Sequence, residues 1–349
     1  EAVSDLGSKV VPDVTPARLT RDVVLFTFAF EAIGAVFLYL RWSSSFGWTA
    51  AIWPSVFHAV SAFCNAGFST FSDSLVGFRE DPLILGTVMT LIILGGIGFL
   101  TLEELRLFRR AQRTTHRFRL SLHSKLALMA TALLLVGGWI AYAVLEWHQT
   151  LADLAPRTKL LNSLFASVTA RTAGFNTIDY GEALPGTNFV TILLMTIGGS
   201  PGSTAGGIKT TTFVLLGVVA WSRLSGYEIT TVLERSVPEA TTNRAIGLFV
   251  VAFGVMTVGI LVFSATELPW AHMPGTGFLD TMFEAASAFN TVGLSMGITS
   301  YLSEIGRITT IILMFIGRVG PLTVAAALAR PSYRRKGPTR YAYEDVVVG

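Results

Sequence analysis

Cysteine is almost absent. Cys64 is the only one in 349 residues, which excludes an internal disulfide framework and a Cys-rich metal site. Histidine is scarce too: five residues, scattered without ligand spacing, so no structural or catalytic zinc site is expected. Charge is thin. Asp, Glu, Lys and Arg make up 14% of the chain, about half of the roughly 25% of an ordinary soluble domain. No secretory signal peptide is visible. The sequence opens on Glu1 rather than Met, which is read as a natural N-terminus lying further upstream.

Hydrophobic residues fill the gap. They make up 51% of the chain and come in long blocks, as expected for a lipid solvent. A bilayer core about 30 Å thick needs roughly 20 apolar helical residues. Six stretches qualify: Val23–Leu40, Pro82–Leu100, Leu126–Leu145, Phe189–Trp221, Ile246–Phe263 and Ile308–Ala329. An even number puts both ends on one side. Eighteen of the 26 Lys and Arg fall in Glu1–Asp22, Thr101–Lys125, Ser222–Ala245 and the tail from Arg330, which makes those segments and both termini cytoplasmic. The opposite segments carry Asp73, Glu80, Asp81, Glu146, Asp153, Asp179, Glu182, Glu267, Asp280 and Glu304. They would either form an acidic mouth that concentrates cations or simply solvate loops.

An internal repeat organises the spans. Within each pair lies a run of about ten residues with helical potential, too short to cross but suited to a re-entrant segment. The three read SVFHAVSAFCNAGFS (Ser55–Ser69), SLFASVTARTAGFNT (Ser163–Thr177) and TMFEAASAFNTVGLS (Thr281–Ser295). Each ends on a small residue, Gly, and Phe or Leu: Ala66-Gly67-Phe68, Ala173-Gly174-Phe175 and Val292-Gly293-Leu294. The second span of each pair repeats as well, at Gly95-Gly96, Gly198-Gly199 and Gly317-Arg318. The expected domains are a cytoplasmic segment 1–22, units 23–110, 126–224 and 246–330, cytoplasmic linkers 111–125 and 225–245, and a tail 331–349.

Non-helical backbone at membrane depth must be buried in protein or line water. A short helix followed by an extended loop can aim carbonyls at an axis, where they replace the water around a K+ ion. Glycine allows unusual dihedrals and close approach, and the C-terminal end of the short helix favours a cation. The flanking side chains are neutral, so selectivity falls to backbone carbonyls of Asn65, Ala66 and Gly67, of Thr172, Ala173 and Gly174, and of Thr291, Val292 and Gly293. The fourth span is broken by Gly198, Gly199, Ser200, Pro201, Gly202, Ser203, Thr204, Ala205, Gly206 and Gly207. Proline and repeated glycine rule out a regular helix there. The stretch is either a flexible gate beneath the filter or a structural kink. It is not a phosphate loop, because Ile208 separates Gly207 from Lys209 where Gly-Lys-Ser/Thr is required.

Three ionisable residues sit at membrane depth: Glu31, Lys209 and Arg318. Such residues are rare and usually functional. Arg318 is expected to reach the Gly198–Gly207 loop as an electrostatic barrier, or else to pair with Glu31 or Glu284. Lys209 belongs to the gate (loop 198–209) or snorkels to the cytoplasm.

Asn65–Phe68, Arg171–Thr177 and Asn290–Ser295 resemble the selectivity-filter loops of the Trk/Ktr/HKT superfamily of K+ transporters. Gly198–Thr212 resembles its intramembrane gate loop, Phe315–Pro321 its last inner helix with a gating arginine, and Tyr343–Gly349 the short C-terminus of KtrB-type subunits. The resemblance covers nearly the whole chain. It implies an all-α integral membrane protein of helix–pore-loop–helix (M1-P-M2) units around a pseudo-fourfold pore. Four units are then expected, and these three look like the second, third and fourth. It also implies a multi-pass protein of the inner membrane, K+ as cargo at the filter carbonyls, Na+ as a candidate coupling ion, and no organic cofactor. The implied partners are lipid, a second copy and a cytoplasmic nucleotide-binding RCK (KTN) subunit, without nucleic acid. Two other classes compete. A secondary transporter for an organic solute would place charged or aromatic groups at the break, where Gly, Ser, Thr and Ala dominate. A membrane hydrolase would need a base for a nucleophile such as Ser203, and no His is near it in sequence.

Overall fold

The computed structural model describes residues 16–112, 119–227, 229–267 and 277–320. The structure among them is helical apart from one short hairpin. The first unit holds α1 (Pro16–Phe46), α2 (Ile52–Phe63), α3 (Pro82–Ile97) and α4 (Phe99–Gln112). The second holds α5 (Leu122–Glu146), α6 (Pro156–Thr169), α7 (Pro185–Thr196) and α8 (Thr210–Leu224). A hairpin, β1 (Thr231–Val232) with β2 (Arg235–Ser236), leads to the third: α9 (Glu239–Thr266), α10 (Phe278–Phe289) and α11 (Glu304–Val319).

The first helix of each unit is a single rod. Thr20–Phe46, α5 and α9 are 27, 25 and 28 residues long, and at 1.5 Å per residue each is long enough for a bilayer core of about 30 Å. Their outward stripes, such as Leu133, Val136 and Ile140 on α5, are apolar and exposed, as lipid contact requires. The chain is an all-α, multi-pass membrane protein.

The second helices depart from the sequence expectation. Pro82–Leu100 is not one continuous helix: α3 stops at Ile97, and α4 leaves at 98° to it. Gly98 makes the corner at φ +94, ψ 137, which only glycine adopts readily. Gly320 does the same after α11, at φ +96, ψ 130; the rest of the span expected to Ala329 lies outside the described residues, as do most of segment 1–22, part of linker 111–125 and the tail 331–349. In the middle unit the break is a whole loop between α7 and α8. The second helices of the first two units therefore break near their repeated glycines, whereas the sequence expected a full interruption in the fourth span alone. The expected boundaries shift as well. α1, α5 and α9 begin inside the segments 1–22, 111–125 and 225–245.

Each unit is closed at its outer end by a polar clasp. In the first, Arg41 pairs with Asp81, which also caps α3 by accepting from the Leu83 and Ile84 amides (3.0 and 3.1 Å), with Pro82 in the first turn. In the second, the fully buried Glu146 accepts from the Leu184 amide at 3.0 Å, from Thr187 Oγ1, and from Thr150 Oγ1 at 2.7 Å. In the third, Glu267 accepts from the Ser303 hydroxyl (2.6 Å) and amide (3.0 Å). Burial alone would raise the Glu267 pKa, but the bonds from Ser303 and Thr266 outweigh it and hold the carboxyl below its ordinary value.

Neighbouring units interlock through their cores. Phe165, Val168, Ala173 and Phe175 of the second unit pack into the core of the first, and Phe283, Ala286, Val292 and Leu294 of the third into that of the second. The second helix of one unit thus meets the short helix of the next: α3 meets α6, and α7 meets α10.

Candidate functional site

The short helices α2, α6 and α10 have 12, 14 and 12 residues and end on the expected loops. Asn65 (φ +50), Thr172 (+68) and Thr291 (+52) are left-handed, and two residues later so are Gly67 (+71), Gly174 (+92) and Gly293 (+94). Left-handed backbone costs a non-glycine residue roughly 1–2 kcal/mol, so a threefold recurrence marks a required shape. Schellman-type bonds hold it: the Ala66 amide returns to the Ser61 carbonyl (2.8 Å) and the Val292 amide to that of Ser287 (2.9 Å). Hydroxyls of the short helices tie the far side. Ser61 donates to the Phe68 carbonyl (2.8 Å), Thr169 to that of Phe175 (2.6 Å), and Ser287 Oγ accepts from the Gly293 amide (3.1 Å).

The loops meet each other. A Cβ built on Gly67 would strike the Ala173 carbonyl oxygen, and one on Gly174 the Val292 carbonyl oxygen. The carbonyls before Gly174 and Gly293 therefore point into the glycine of the preceding loop. Asn65, Ala66, Gly67, Thr172, Ala173, Gly174, Thr291, Val292 and Gly293 are brought together. On the outer side lies a 540 Å³ cavity bordered by Gly293, Asp73, Asp179, Glu182 and Arg79. This narrows the expected acidic mouth. Glu146 and Glu267 are closed into clasps, and Asp81 caps a helix.

On the other side lies the Gly198–Gly207 loop. The sequence suggests a slack segment; the structure holds it firmly. The Gly198 amide donates to the Ile208 carbonyl (2.9 Å), those of Ser200 and Thr204 to Gly96 and Gly95 (2.9 and 3.2 Å), and the Phe99 amide to the Gly202 carbonyl (3.1 Å). These bonds give several of its backbone polar groups partners within the protein, as non-helical backbone in a membrane protein requires. Cβ atoms built on Gly206 and Gly207 would lie 2.5 Å from the Asn290 carbonyl oxygen and 3.0 Å from its Oδ1, so the loop presses on the base of the loop that follows α10. Thr204 Oγ1 reaches the Phe63 carbonyl at 3.1 Å. Three cations grip its carbonyls: Arg318 holds Thr204 (2.8 Å), Lys209 holds Ala205 (2.6 Å) and Arg171 holds Gly198 (3.0 Å). The ion-pair alternative for Arg318 is not what is found. Glu284 accepts from Ser295 (2.9 Å) and Thr299, and Glu31 faces the Cys64 thiol at 3.8 Å.

Sequence reasoning missed two features. Arg171 was placed in a loop without a role. His58 and Glu284 lie nine residues before the filter glycines and hold the serines two residues after them. Glu284 accepts from Ser295, and His58 Nε2 lies 2.8 Å from Ser69 Oγ. With Nδ1 against the Pro54 carbonyl at 2.7 Å, the proton belongs on Nδ1 and Nε2 accepts. Aligning the repeats on their glycines would have exposed this matched spacing.

Among the described residues no group of three or more His, Cys, Asp or Glu could hold a metal ion. The candidate ligands are backbone carbonyls, suited to a transported monovalent cation.

Comparison with known proteins agrees in one direction. The family described as TrkH, cation transport protein, matches residues 9–335. The potassium/sodium uptake protein NtpJ of Enterococcus hirae is 39% identical over 95% of this chain and 72% of its own length. The Ktr system potassium uptake protein B of Vibrio alginolyticus is 38% identical over 95% of this chain and 70% of its own. Among solved structures, the potassium transporter TrkH of Vibrio parahaemolyticus shares the fold, with a TM-score of 0.76 at 19% identity over 95% of this chain and 70% of that one.

Proposed function

The chain belongs to the TrkH family of cation transport proteins, and from that premise we propose that it lines the pore of a K+ uptake system. One observation carries the proposal. Three loops share a left-handed residue and a left-handed glycine two positions apart, and the glycine of one receives the carbonyl of the next. In this reading the carbonyls around Gly67, Gly174 and Gly293 take the place of the ion's water shell, and the C-terminal ends of α2, α6 and α10 add partial negative charge. Na+ enters as second cargo or coupling ion, because the Enterococcus relative is named for potassium and sodium uptake.

The Gly198–Gly207 loop with Lys209 and Arg318 is the gate. It places three cationic side chains on the cytoplasmic side of the filter, where an incoming cation is repelled while the loop is seated. Residues 23–110, 126–224 and 246–330 are the M1-P-M2 units. The distribution of Lys and Arg puts the linkers and both termini in the cytoplasm, with the protein in the inner membrane. A homodimer that responds to a cytoplasmic RCK (KTN) subunit completes the proposal, supported by a relative named as part of a Ktr system.

The test is K+ uptake by the complete gene in a K+-uptake-deficient bacterium. Gly174→Ser places a side chain at φ +92 against the Val292 carbonyl. Left-handed strain alone is worth about a decade in the occupancy of the filter shape, so uptake and K+/Na+ discrimination should fall about tenfold or more. Full rescue with unchanged selectivity overturns the filter assignment. Arg318→Ala should raise cation leak; unchanged flux at normal expression overturns the gate.

A further inference from the structure

Arg171 is an anomaly in the site. It follows α6, one residue before the left-handed Thr172, and only 7% of it is exposed. A guanidinium buried at membrane depth calls for a compensating charge, yet no carboxylate is paired with it among the described residues, and its one hydrogen bond runs to the Gly198 carbonyl. Its Nε has no partner. At the equivalent position the first repeat has Cys64 and the third Asn290, so the charge belongs to the one unit whose second helix opens into a loop.

A small cavity lies beside it, 20 Å³ in volume, lined in part by Arg171, Thr131, Asn65, Gly96 and Gly199. Thr131 is 7% exposed and its Oγ1 is likewise without a partner. Two residues that each carry an unpartnered buried polar atom thus line one space. One water needs about 10–15 Å³, so the cavity holds one molecule and little more. The Asn65 amide fixes the chemistry. The hydrogen-bonding surroundings assign its nitrogen as donor to the Ile92 and Ala62 carbonyls at 3.2 and 3.1 Å, an assignment that sets the oxygen beside Gly96 on the cavity side. The occupant must therefore accept from Arg171 and donate to Asn65. Water does both, whereas an anion such as chloride would face a carbonyl oxygen.

We propose that Arg171 is a positioning residue that locks the start of the glycine-rich loop to the underside of the filter, and that one buried water joins it to Thr131 and Asn65. The proposal rests on the reading of that loop as the gate and names the tie between gate and filter. Arg171 is continuous with Thr172 in the filter backbone, so the loop cannot leave without releasing Gly198 from a residue that also shapes the filter. Arg318 grips the same loop from α11 and is bonded to no filter residue. Loss of Arg171 should therefore disturb both permeation and loop position, and loss of Arg318 the loop alone.

The experiment uses the complete protein in vesicles, with Ser203→Cys in the loop as a reporter and Cys64→Ser as background. The rate of its modification by a cytoplasmic methanethiosulfonate reagent reads loop position independently of flux. Loss of a charge-assisted hydrogen bond should raise that rate roughly 10- to 100-fold in Arg171→Gln, with Arg171→Lys in between. Arg171→Gln should also lower K+/Na+ discrimination, which Arg318→Ala leaves intact. Folded Arg171→Gln protein with a rate within about twofold of the parent overturns the tie, as does unchanged discrimination; if Arg171→Gln does not fold, Arg171→Lys is judged by the same two readouts. A map of the complete protein that resolves waters should show density between Arg171 Nε and Thr131 Oγ1, lost in Thr131→Val; a dry cavity overturns the bridging water. Unchanged flux in Arg318→Ala sinks the gate reading separately, because flux and the modification rate at position 203 are read independently.

Discussion

Gly317 and Gly137 both lie inside apolar helices, and hydropathy does not distinguish them. A Cβ on Gly317 would enter the Phe289 carbonyl at the end of α10, and Gly95 stands in the same relation to Phe63. Around Gly137 nothing lies within 4 Å. Gly317→Ala should therefore destabilise the folded protein by about 1–3 kcal/mol through forced backbone movement. Gly137→Ala should be neutral or stabilising by up to about 1 kcal/mol, the ordinary helix preference for alanine. Thermal unfolding of the two variants in detergent separates them; equal shifts would remove the packing explanation. A glycine's presence was readable from the sequence, but the neighbour that makes it necessary was not, because that neighbour is a carbonyl more than twenty residues away along the chain.

Among elements, the outer clasps and the broken second helices carry the shape. Glu267 joins α9 to the cap of α11, and its carboxyl is held below the ordinary value. The sign follows from linkage. Stability from a depressed carboxyl is fully present above the unfolded pKa of about 4.3 and is lost as pH falls through the lower native value. Glu267→Gln should therefore lower the Tm near neutrality, and the gap to the parent should close toward pH 3. A gap constant across that range would mean that the charged form of the clasp contributes nothing. The bend within the expected span Pro82–Leu100 was not legible for a related reason. Its apolar run continues through Gly98, Phe99 and Leu100, and hydrophobicity does not reveal a glycine at φ +94. Leu100 is buried after the corner just as it would be in a continuous helix.

For the whole molecule, lipid and protein divide each first helix into two faces. Leu133 on α5 is 73% exposed, whereas Thr131 two residues earlier is buried. Leu133→Arg should reduce membrane insertion or folded yield by about 2.5–3.5 kcal/mol, the cost of arginine at the centre of a span, without altering the selectivity of the protein that does insert. Normal yield in a membrane-fraction assay would contradict lipid exposure of that face. The interlocking of units works at the same scale. The loop at Gly67 is finished only by its neighbour, because the Ala173 carbonyl occupies the place that a side chain at Gly67 would take.

The sequence alone determined that the chain lives in a membrane, that it repeats a helix–loop–helix unit three times, and that glycines punctuate each unit at two levels. Those properties are local and periodic, so composition and spacing expose them. Only the tertiary structure decided which groups face one another: that Arg171, Lys209 and Arg318 converge on adjacent stretches of one loop, that two of the expected mouth acids are buried clasps, and that a water-sized cavity joins Arg171 to Thr131. Buried polar groups must find partners wherever the fold brings them, and the partners of Arg171 and Arg318 lie 27 and 114 residues away, at separations that no periodicity in the chain records.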